Sequence, residues 1–328
     1  MNINNKFNNI NSVDSILSLD KERILKLDNY MKLKYMDELV IKYPLMNEIL
    51  NKMEECKGLS QIYKEPECLI LTGPTRSGKS TFAEIFLKRY PHIYNETGTE
   101  VPVLYCMLPR PATIGGMVTE FLKKLGDPLY NINSVANKKT NRLKELLLAC
   151  SVKFIIVDEV QHIIDTNSKK LIFDSSDWFK DLMANTKIPI MFIGLEDSTR
   201  MLIENKQLGS RVLNRYNLKS FNYGDNAFKA ILYFFDESIP LKNKSNLLEN
   251  DLWKHIFFAT DGRLGYVKIL LKEATKIALE NNSDLITTSM LAEAFHSKLH
   301  DVIGENPFLP GYDLEKAEKN LRKSNSSL

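Results

Sequence analysis

Eight consecutive residues constrain this chain more than any other feature of its sequence. Gly73–Ser80 reads Gly-Pro-Thr-Arg-Ser-Gly-Lys-Ser and matches the pattern Gly-x-x-x-x-Gly-Lys-Ser/Thr at every fixed position. The run 68–71 before it is continuously apolar, as in a buried strand, and residues 79–90 after it have a helical pattern. A glycine-rich turn between a strand and a helix lets backbone N–H groups point at phosphate oxygens. The string therefore predicts a phosphate-binding loop (P-loop).

The predicted loop gives distinct roles to its last residues. Lys79 is expected to reach the β- and γ-phosphates of a nucleotide, and Ser80 is expected to hold Mg²⁺. The helix that follows presents its positive N-terminal end to the same phosphates. We therefore predict ATP and Mg²⁺ as cofactors. The predicted nucleotide-binding residues of the loop are Gly73, Pro74, Thr75, Arg76, Ser77, Gly78, Lys79, Ser80 and Thr81.

Another apolar run ends in two acids. Residues 154–157 are continuously apolar and are followed at once by Asp158 and Glu159. Unpaired carboxylates are costly at the end of a buried strand, and bound Mg²⁺ would account for them. Asp158 would act on the metal's ligand shell and bind the nucleotide, while Glu159 would polarise an attacking water. This pair favours hydrolysis over a small-molecule kinase. His162 either positions Glu159 or is an ordinary hydrogen-bonded histidine at a helix start.

Strand-like and helical runs alternate through the middle of the chain, which predicts a parallel sheet covered by helices on both faces. The strand-like runs are 68–71, 101–107, 154–157 and 189–193, and we expect a last edge strand at 217–223. Residues 20–53 have a helical pattern interrupted by Pro44, which predicts two helices in front of the sheet.

These patterns divide the chain into four predicted segments. Residues 1–60 are expected to form a flexible arm and the N-terminal helices, and residues 61–223 the α/β core. Residues 224–303 have helical periodicity without strands and predict a small all-helical lid. Residues 304–328 contain prolines and glycines and end in serines, which predicts an extended C-terminal tail.

The amino-acid composition limits which kinds of binding partner can be expected. Of the 328 residues, 44% are hydrophobic and 26% charged, and the net charge of +3 is too small to indicate a nucleic-acid binder by itself. The four cysteines lack a CxxC pairing, so we expect reduced thiols and no metal site. The sequence has neither a secretory signal nor an apolar stretch of membrane-spanning length, so we expect a cytoplasmic protein without a membrane partner.

The two motifs together resemble the TniB/TnsC-type AAA+ ATPases, the ATP-dependent regulators of certain bacterial transposons. The resemblance rests most specifically on the string Asp-Glu-Val-Gln-His at 158–162 and on Asn-Pro-Phe at 306–308. Gln207–Arg211 and Gly262–Gly265 agree with it, and the likeness runs from about residue 20 to 308. It implies an AAA+ P-loop NTPase with a parallel sheet flanked by helices, preceded by N-terminal helices and followed by a helical lid.

The resemblance also implies how such a protein works. These ATPases assemble as rings or filaments on double-stranded DNA with little sequence preference. They recruit a DDE-type transposase and a target-selection protein, and ATP hydrolysis disassembles them. Arg211, or in second place Arg215, would be the arginine finger that crosses to a neighbour's γ-phosphate, so that hydrolysis depends on assembly. Arg263 would be a second sensor that contacts the nucleotide from the lid.

One position departs from the family pattern. The family often has a hydroxyl or amide residue as first sensor after the fourth strand, where this chain has Leu195. Leu195 is unable to fill that role, so Asp197 or Ser198 would, or the sensor is missing.

In the family, DNA meets the loops and helices that follow the second strand. Here that region supplies basic and hydroxyl side chains that would hold phosphates without reading bases. A lysine pair on a helix is also typical of an ordinary solvated face. The candidate DNA-binding residues are Arg110, Thr113, Lys123 and Lys124, with Lys138, Lys139 and Arg142 further along.

Two other classes stay open. A helicase loader or replication initiator would share the ATPase core and DNA binding. An initiator usually carries a C-terminal helix-turn-helix domain, and the helices after Leu247 are too short to include one. A nucleotide-switched signalling ATPase usually carries an effector or repeat domain, for which the sequence has no pattern.

Overall fold

A computed structural model describes residues 20–59, 62, 65–96, 98–132, 135–165 and 168–325. They form two compact units: Pro44–Lys219, called here the sheet unit, and the residues up to Tyr43 together with those from Ser220 onward, called the helical unit. The predicted N-terminal flexible arm lies outside the described residues. None of the helices within the described ranges is long and apolar enough to cross a bilayer.

Strands and helices are numbered along the chain. The strands are β1 (Cys68–Thr72), β2 (Ile93–Asn95), β3 (Gly98–Glu100), β4 (Val103–Met107), β5 (Phe154–Asp158), β6 (Ile190–Gly194) and β7 (Val212–Asn217). The helices of the N-terminal half are α1 (Lys21–Leu25), α2 (Asn29–Glu38), α3 (Pro44–Leu59), α4 (Lys79–Arg89), α5 (Ile114–Lys124) and α6 (Ala136–Ala149). Four helices follow β5 within the sheet unit: α7 (Gln161–Ile164), α8 (Lys169–Thr186), α9 (Arg200–Glu204) and α10 (Lys206–Gly209). The C-terminal helices are α11 (Asn226–Ser238), α12 (Leu252–Thr260), α13 (Leu264–Glu280), α14 (Thr288–Lys298), α15 (His300–Ile303) and α16 (Leu314–Asn325).

The sheet unit is built on five strands in the order β4-β5-β6-β1-β7, and every neighbouring pair is parallel. This confirms the predicted parallel sheet. Strands β1, β5 and β6 are buried along their whole length, because helices cover both faces of the sheet. That burial is why their sequences are continuously apolar rather than alternating.

Aromatic side chains fill both faces of this sheet. On one face Phe86 of α4 packs on Phe154 of β5, with ring centroids 5.2 Å apart. On the other face Phe179 of α8 meets Phe192 of β6 at 5.1 Å and Trp178 at 4.8 Å. Truncation of one such buried ring to alanine typically costs about 3–5 kcal/mol, so these contacts fix the helices on the sheet.

The helical unit has its own core. Tyr35 and Met36 of α2 are buried among side chains of α11, α13 and α14. The turn before α13 needs a glycine, because Gly262 has a φ of +63° and an added Cβ would lie 2.4 Å from the carbonyl oxygen of Phe221. Because α2 packs into this core, α1 and α2 belong to the helical unit together with the C-terminal helices, whereas α3 belongs to the sheet unit. The observed division thus differs from the predicted one at residue 60.

Three further sequence predictions were wrong in detail. Residues 20–59 form three helices, α1 to α3, rather than two, because Asp28 starts a new helix by accepting from the Met31 N–H at 2.8 Å. The last edge strand is β7, which ends at Asn217 and does not extend over 217–223. The tail from residue 304 is not wholly extended, because α16 occupies Leu314–Asn325. An aspartate before that helix explains its start: Asp313 accepts a hydrogen bond from the backbone N–H of Lys316 at 2.9 Å. The β2–β3 hairpin and α8 were not predicted at all.

Candidate nucleotide-binding site

The candidate site lies where all five parallel strands end, here called the carboxyl edge of the sheet. β1 runs into the glycine-rich loop, and β5 ends at Asp158. The Ser80 hydroxyl donates to Asp158 Oδ2 at 3.3 Å, and the Tyr105 hydroxyl of β4 donates to the same oxygen at 2.9 Å. Burial, with the adjacent Asp158 charge, raises the pKa of Tyr105, so it stays a donor. The fold thus brings together the two residues predicted to hold Mg²⁺.

The loop backbone has the shape of an anion-binding turn. Arg76 and Gly78 both have positive φ angles, of 63° and 98°. Left-handed residues among ordinary ones turn successive N–H groups toward a common side. Gly73 is required for a different reason, since a Cβ there would lie 2.4 Å from the carbonyl oxygen of Leu218.

Lys79 is folded back into this loop. Its Nζ donates to the carbonyl oxygens of Gly73 at 2.8 Å and Pro74 at 2.7 Å. Burial lowers the pKa of Lys79, and the nearby charges of Asp158 and Glu159 oppose that effect. The ammonium group therefore occupies the mouth of the loop, where it would exchange carbonyl oxygens for phosphate oxygens.

The donor set of the loop fits a magnesium nucleotide. The Ser77 hydroxyl is buried and has no hydrogen-bond partner among the described residues. Thr75 and Arg76 are exposed at the tip of the loop, and the Thr81 N–H bonds the Gly78 carbonyl at 3.2 Å. Mg²⁺ is usually bound by one or two carboxylates together with phosphates and water, which matches a single hydroxyl–carboxylate pair.

Glu159 follows Asp158 in an unusual conformation. Its φ is +59°, in the left-handed region that glycine prefers. Its N–H donates to Asp158 Oδ1 at 2.8 Å, and its carboxylate accepts a hydrogen bond from the Gln161 amide. His162 Nε2 lies 3.8 Å from the same carboxylate, while its Nδ1 donates to the Leu108 carbonyl at 3.0 Å. Residue spacing pointed to His162 as a neighbour of Glu159, but sequence reasoning missed Gln161.

The candidate first-sensor residues after β6 differ in exposure. The Ser198 side chain is fully buried, and its hydroxyl has no hydrogen-bond partner among the described residues. Asp197 is exposed. Leu195 contributes its backbone N–H, which donates to Gln161 Oε1 at 3.2 Å.

Arg211 lies at the amino ends of the strands, opposite the carboxyl edge. Its carbonyl accepts from the N–H of Cys68, the first residue of β1, whereas the loop follows the last residue of that strand. A five-residue strand separates the two ends by about 15 Å. The Arg211 guanidinium donates to the Lys180 carbonyl at 3.0 Å and to Glu65 Oε1 at 3.2 Å.

The other two candidate arginines also donate hydrogen bonds within their own subunit. Arg215 is exposed, and its guanidinium donates to the carbonyls of Val212 at 3.2 Å and Gly209 at 3.3 Å. Arg263 belongs to the helical unit, where it precedes α13 and donates to Asp261 Oδ2 at 2.9 Å. The Arg263 Nε is buried and has no hydrogen-bond partner among the described residues.

The four principal DNA candidates are not one cluster. Thr113 caps the start of α5, accepting from the Gly116 N–H at 3.1 Å, whereas Lys123 and Lys124 are exposed at its end. A helix of 11 residues separates them by about 16 Å. Arg110 is 74% exposed and lies 3.6 Å from an Asp165 oxygen.

Two of the more distant candidates have structural partners instead. Arg142 donates to both carboxylate oxygens of the buried Asp127, at 2.6 and 2.8 Å. Lys139 donates to the Thr119 hydroxyl at 3.2 Å. Lys138 is exposed.

Sheet order and phosphate loop together define the class: the chain has the fold of the AAA+ P-loop NTPases. Residues 32–222 match the family model described as bacterial TniB protein. The chain therefore belongs to the TniB family, which confirms the resemblance read from its motifs. No curated protein matches it significantly by sequence.

Solved structures show the same fold at low sequence identity. The Orc1 protein of Aeropyrum pernix in complex with DNA aligns with a TM-score of 0.57 and 14% identity, covering 86% of this chain and 72% of that one. Cdc6p from Pyrobaculum aerophilum gives 0.55 and 12%, covering 84% and 70%. The Orc2 protein of Aeropyrum pernix, in ADPNP–ADP complexes, gives 0.51 and 14%, covering 74% and 67%.

Proposed function

We propose that this chain binds ATP with Mg²⁺ at the carboxyl edge and hydrolyses it. The observation that carries the proposal is the meeting of Lys79, Ser80, Asp158 and Glu159, which come from two separate segments of the chain. Ser80 and Asp158 would hold Mg²⁺, which when bound neutralises charge on the phosphate oxygens. Lys79 would contact the β- and γ-phosphates, and Glu159 would orient and polarise the attacking water.

We also propose that hydrolysis requires a second copy of the chain. Arg211 lies about one strand length from the loop of its own subunit, so it is poorly placed to act there. In an assembly it would reach the γ-phosphate bound by a neighbour, where an arginine stabilises charge in the transition state. Nucleotide turnover would then report on assembly. Arg263 would contact the nucleotide from the helical unit as a second sensor.

Membership of the TniB family supports a role in DNA transposition. In this proposal the ATP-bound chain forms a ring or filament on double-stranded DNA and recruits a transposase and a target-selection protein. Hydrolysis then disassembles it. The phosphate contacts would come from Arg110 and Thr113, or from the separate pair Lys123 and Lys124. The similarity to Orc and Cdc6 structures is one of fold, so it adds no independent support for replication initiation.

Electron microscopy of the full chain with double-stranded DNA tests the assembly step. We expect rings or filaments only when DNA and a non-hydrolysable ATP analogue are both present. Lys79→Ala should abolish nucleotide binding and assembly, whereas Glu159→Gln should assemble without turnover. The exposed Lys153 gives a matched control, Lys153→Ala, which should behave as wild type. Monomers under all conditions would refute the assembly proposal, and normal turnover by Glu159→Gln would refute the assigned base.

A mixing experiment tests the arginine in trans. Arg211→Ala and Glu159→Gln should each be inactive alone on DNA. Mixed in equal amounts, they place an intact Glu159 beside an intact Arg211 at about a quarter of the boundaries, so activity should return to that fraction of wild type. If the mixture is as inactive as each variant alone, Arg211 is not the arginine that acts in trans. The same design with Arg215→Ala then tests the second candidate.

A further inference from the structure

Gln161 joins the candidate catalytic carboxylate to a neighbouring strand. Its side-chain Nε2 donates to Glu159 Oε2, and its Oε1 accepts from the backbone N–H of Leu195, just after β6, at 3.2 Å. The two contacts leave the amide little freedom to rotate. One side chain therefore spans the gap between the end of β5 and the end of β6.

The hydrogen-bonding groups themselves fix the orientation of this amide. A backbone N–H only donates, so the oxygen of Gln161 must face Leu195. An ionised carboxylate only accepts, so the nitrogen must face Glu159. A reversed amide would break both contacts at once, and the bridge is therefore specific to a glutamine side chain.

The surrounding backbone is built to admit this bridge. The Val160 N–H, two residues beyond the end of β5, donates to the Ile193 carbonyl at 3.0 Å, so main-chain bonding to β6 extends past β5 itself. The Gln161 side chain then accepts the next N–H, in place of a main-chain carbonyl. Gly194 leaves room for it, because an added Cβ would lie 3.0 Å from Gln161 Oε1 and 2.2 Å from the Ser198 hydroxyl.

No residue after β6 supplies a comparable link from the described part of the chain. Leu195 has an apolar side chain, the Ser198 hydroxyl is buried without a partner among the described residues, and Asp197 is exposed. The polar side chain that connects β6 to Glu159 comes instead from α7. His162 Nε2 lies 3.8 Å from the same carboxylate oxygen, and its Nδ1 is held by the Leu108 carbonyl in the segment after β4.

We propose that Gln161 is a positioning residue for hydrolysis: it holds the Glu159 carboxylate by Oε2 and leaves Oε1 directed at the attacking water. It thereby links Glu159 to the end of β6, where Leu195 offers only its backbone N–H. The inference rests on the proposed ATPase activity. Because the hydrogen bonds of the Gln161 side chain go to Glu159 and Leu195 rather than to the phosphate loop, it should affect kcat and leave nucleotide affinity unchanged.

Two substitutions separate positioning from a purely structural role. Gln161→Glu keeps an oxygen for the Leu195 N–H but replaces the donor to Glu159 with a second acceptor. Gln161→Met keeps the length of the side chain and removes both hydrogen bonds. We expect each to lower kcat on DNA tenfold or more, by analogy with the loss of about 10- to 100-fold when hydrogen-bond partners of metal ligands are removed. Affinity for a fluorescent ADP analogue and assembly on DNA should stay within about twofold of wild type.

The control is Asn185→Ala, which removes an exposed amide at the end of α8 and should leave kcat unchanged. If Gln161→Glu hydrolyses ATP at the wild-type rate or faster, while Glu159→Gln is inactive, the positioning role is wrong and the proposed ATPase stands. A drop in ADP affinity in either variant also overturns it. If wild type itself fails to hydrolyse ATP on DNA, the proposed function fails together with this inference.

Discussion

Glu159 shows how a single residue combines strain with a proposed chemical role. Its φ of +59° places a side chain where glycine is preferred, at a cost of about 1–2 kcal/mol. The Asp158 carboxylate bonds the Glu159 N–H, and Gln161 bonds its side chain, so local contacts hold the residue there. Strain of this kind collects at functional sites, because the surrounding structure over-determines the backbone.

A pair of substitutions measures this strain. Glu159→Gly and Glu159→Ala lose the same side-chain contacts and differ only in backbone preference. We expect the glycine variant to be more stable by about 1 kcal/mol, the reverse of the order in an ordinary helix. Chemical denaturation of both proteins gives the difference. In α5, Gly115→Ala should instead be neutral or stabilising, since a Cβ there meets nothing within 4 Å. An alanine variant as stable as the glycine variant would contradict the strained backbone.

At the scale of elements, an ion pair ties the turn after α5 to α6. Asp127 is buried, and its carboxylate accepts two hydrogen bonds from Arg142 and one from the Leu129 N–H. The Arg142 hydrogen bonds hold the pKa of Asp127 below its usual value, although burial opposes them. The charged form of Asp127 therefore stabilises the fold.

This pair predicts a pH dependence of stability. The contribution is present above the unfolded-state pKa of about 4 and is lost as pH falls through the lower folded-state pKa. Asp127→Asn should lower the free energy of unfolding at pH 7 by about 1 kcal/mol, since Arg142 is partly exposed and water competes for it. The difference from wild type should shrink below about pH 4. Denaturation at several pH values measures it, and a difference that grows with acid would contradict the assignment.

The elements also show what could be read from the sequence. β1, β5 and β6 were predictable because burial on both faces makes them continuously apolar, and the glycine-rich string located the turn and helix after β1. The short exposed hairpin of β2 and β3 lacks that pattern. For α16, the prolines and glycine before Asp313 concealed a helix that begins there. Gln161 could not have been found, because a hydrogen bond to a neighbouring strand leaves no periodic pattern in the sequence.

The whole molecule consists of two units, each with its own core. The predicted nucleotide-contacting residues of the loop and of β5 all belong to the sheet unit, whereas Arg263 belongs to the helical unit. Thermal unfolding of such a chain need not be a single transition. A bound nucleotide stabilises the unit whose residues contact it.

We therefore expect ADP to raise the unfolding temperature of the sheet unit. At a concentration one hundred times its Kd, a ligand adds about 2.7 kcal/mol, which corresponds to about 5–10 °C for a unit of this size. Differential scanning calorimetry with ADP and Mg²⁺ measures the shift. Lys79→Ala should remove it, whereas Lys153→Ala should keep it. An equal shift in Lys79→Ala would mean that ADP binds elsewhere.

The contact between Arg211 and Glu65 has a consequence for how copies of the chain would meet. If Arg211 acts across a subunit boundary, Glu65 competes with the neighbour for the same guanidinium, and only copies with a released arginine join productively. The Glu65 carboxylate is 67% exposed, so water competes for it and the pair is worth at most about 1 kcal/mol, which weakens association roughly fivefold. That is a small obstacle for copies crowded on one DNA molecule, where local concentration is high. For dilute copies in solution the same loss of affinity would reduce the assembled fraction more. The contact would therefore favour assembly on DNA over assembly without it.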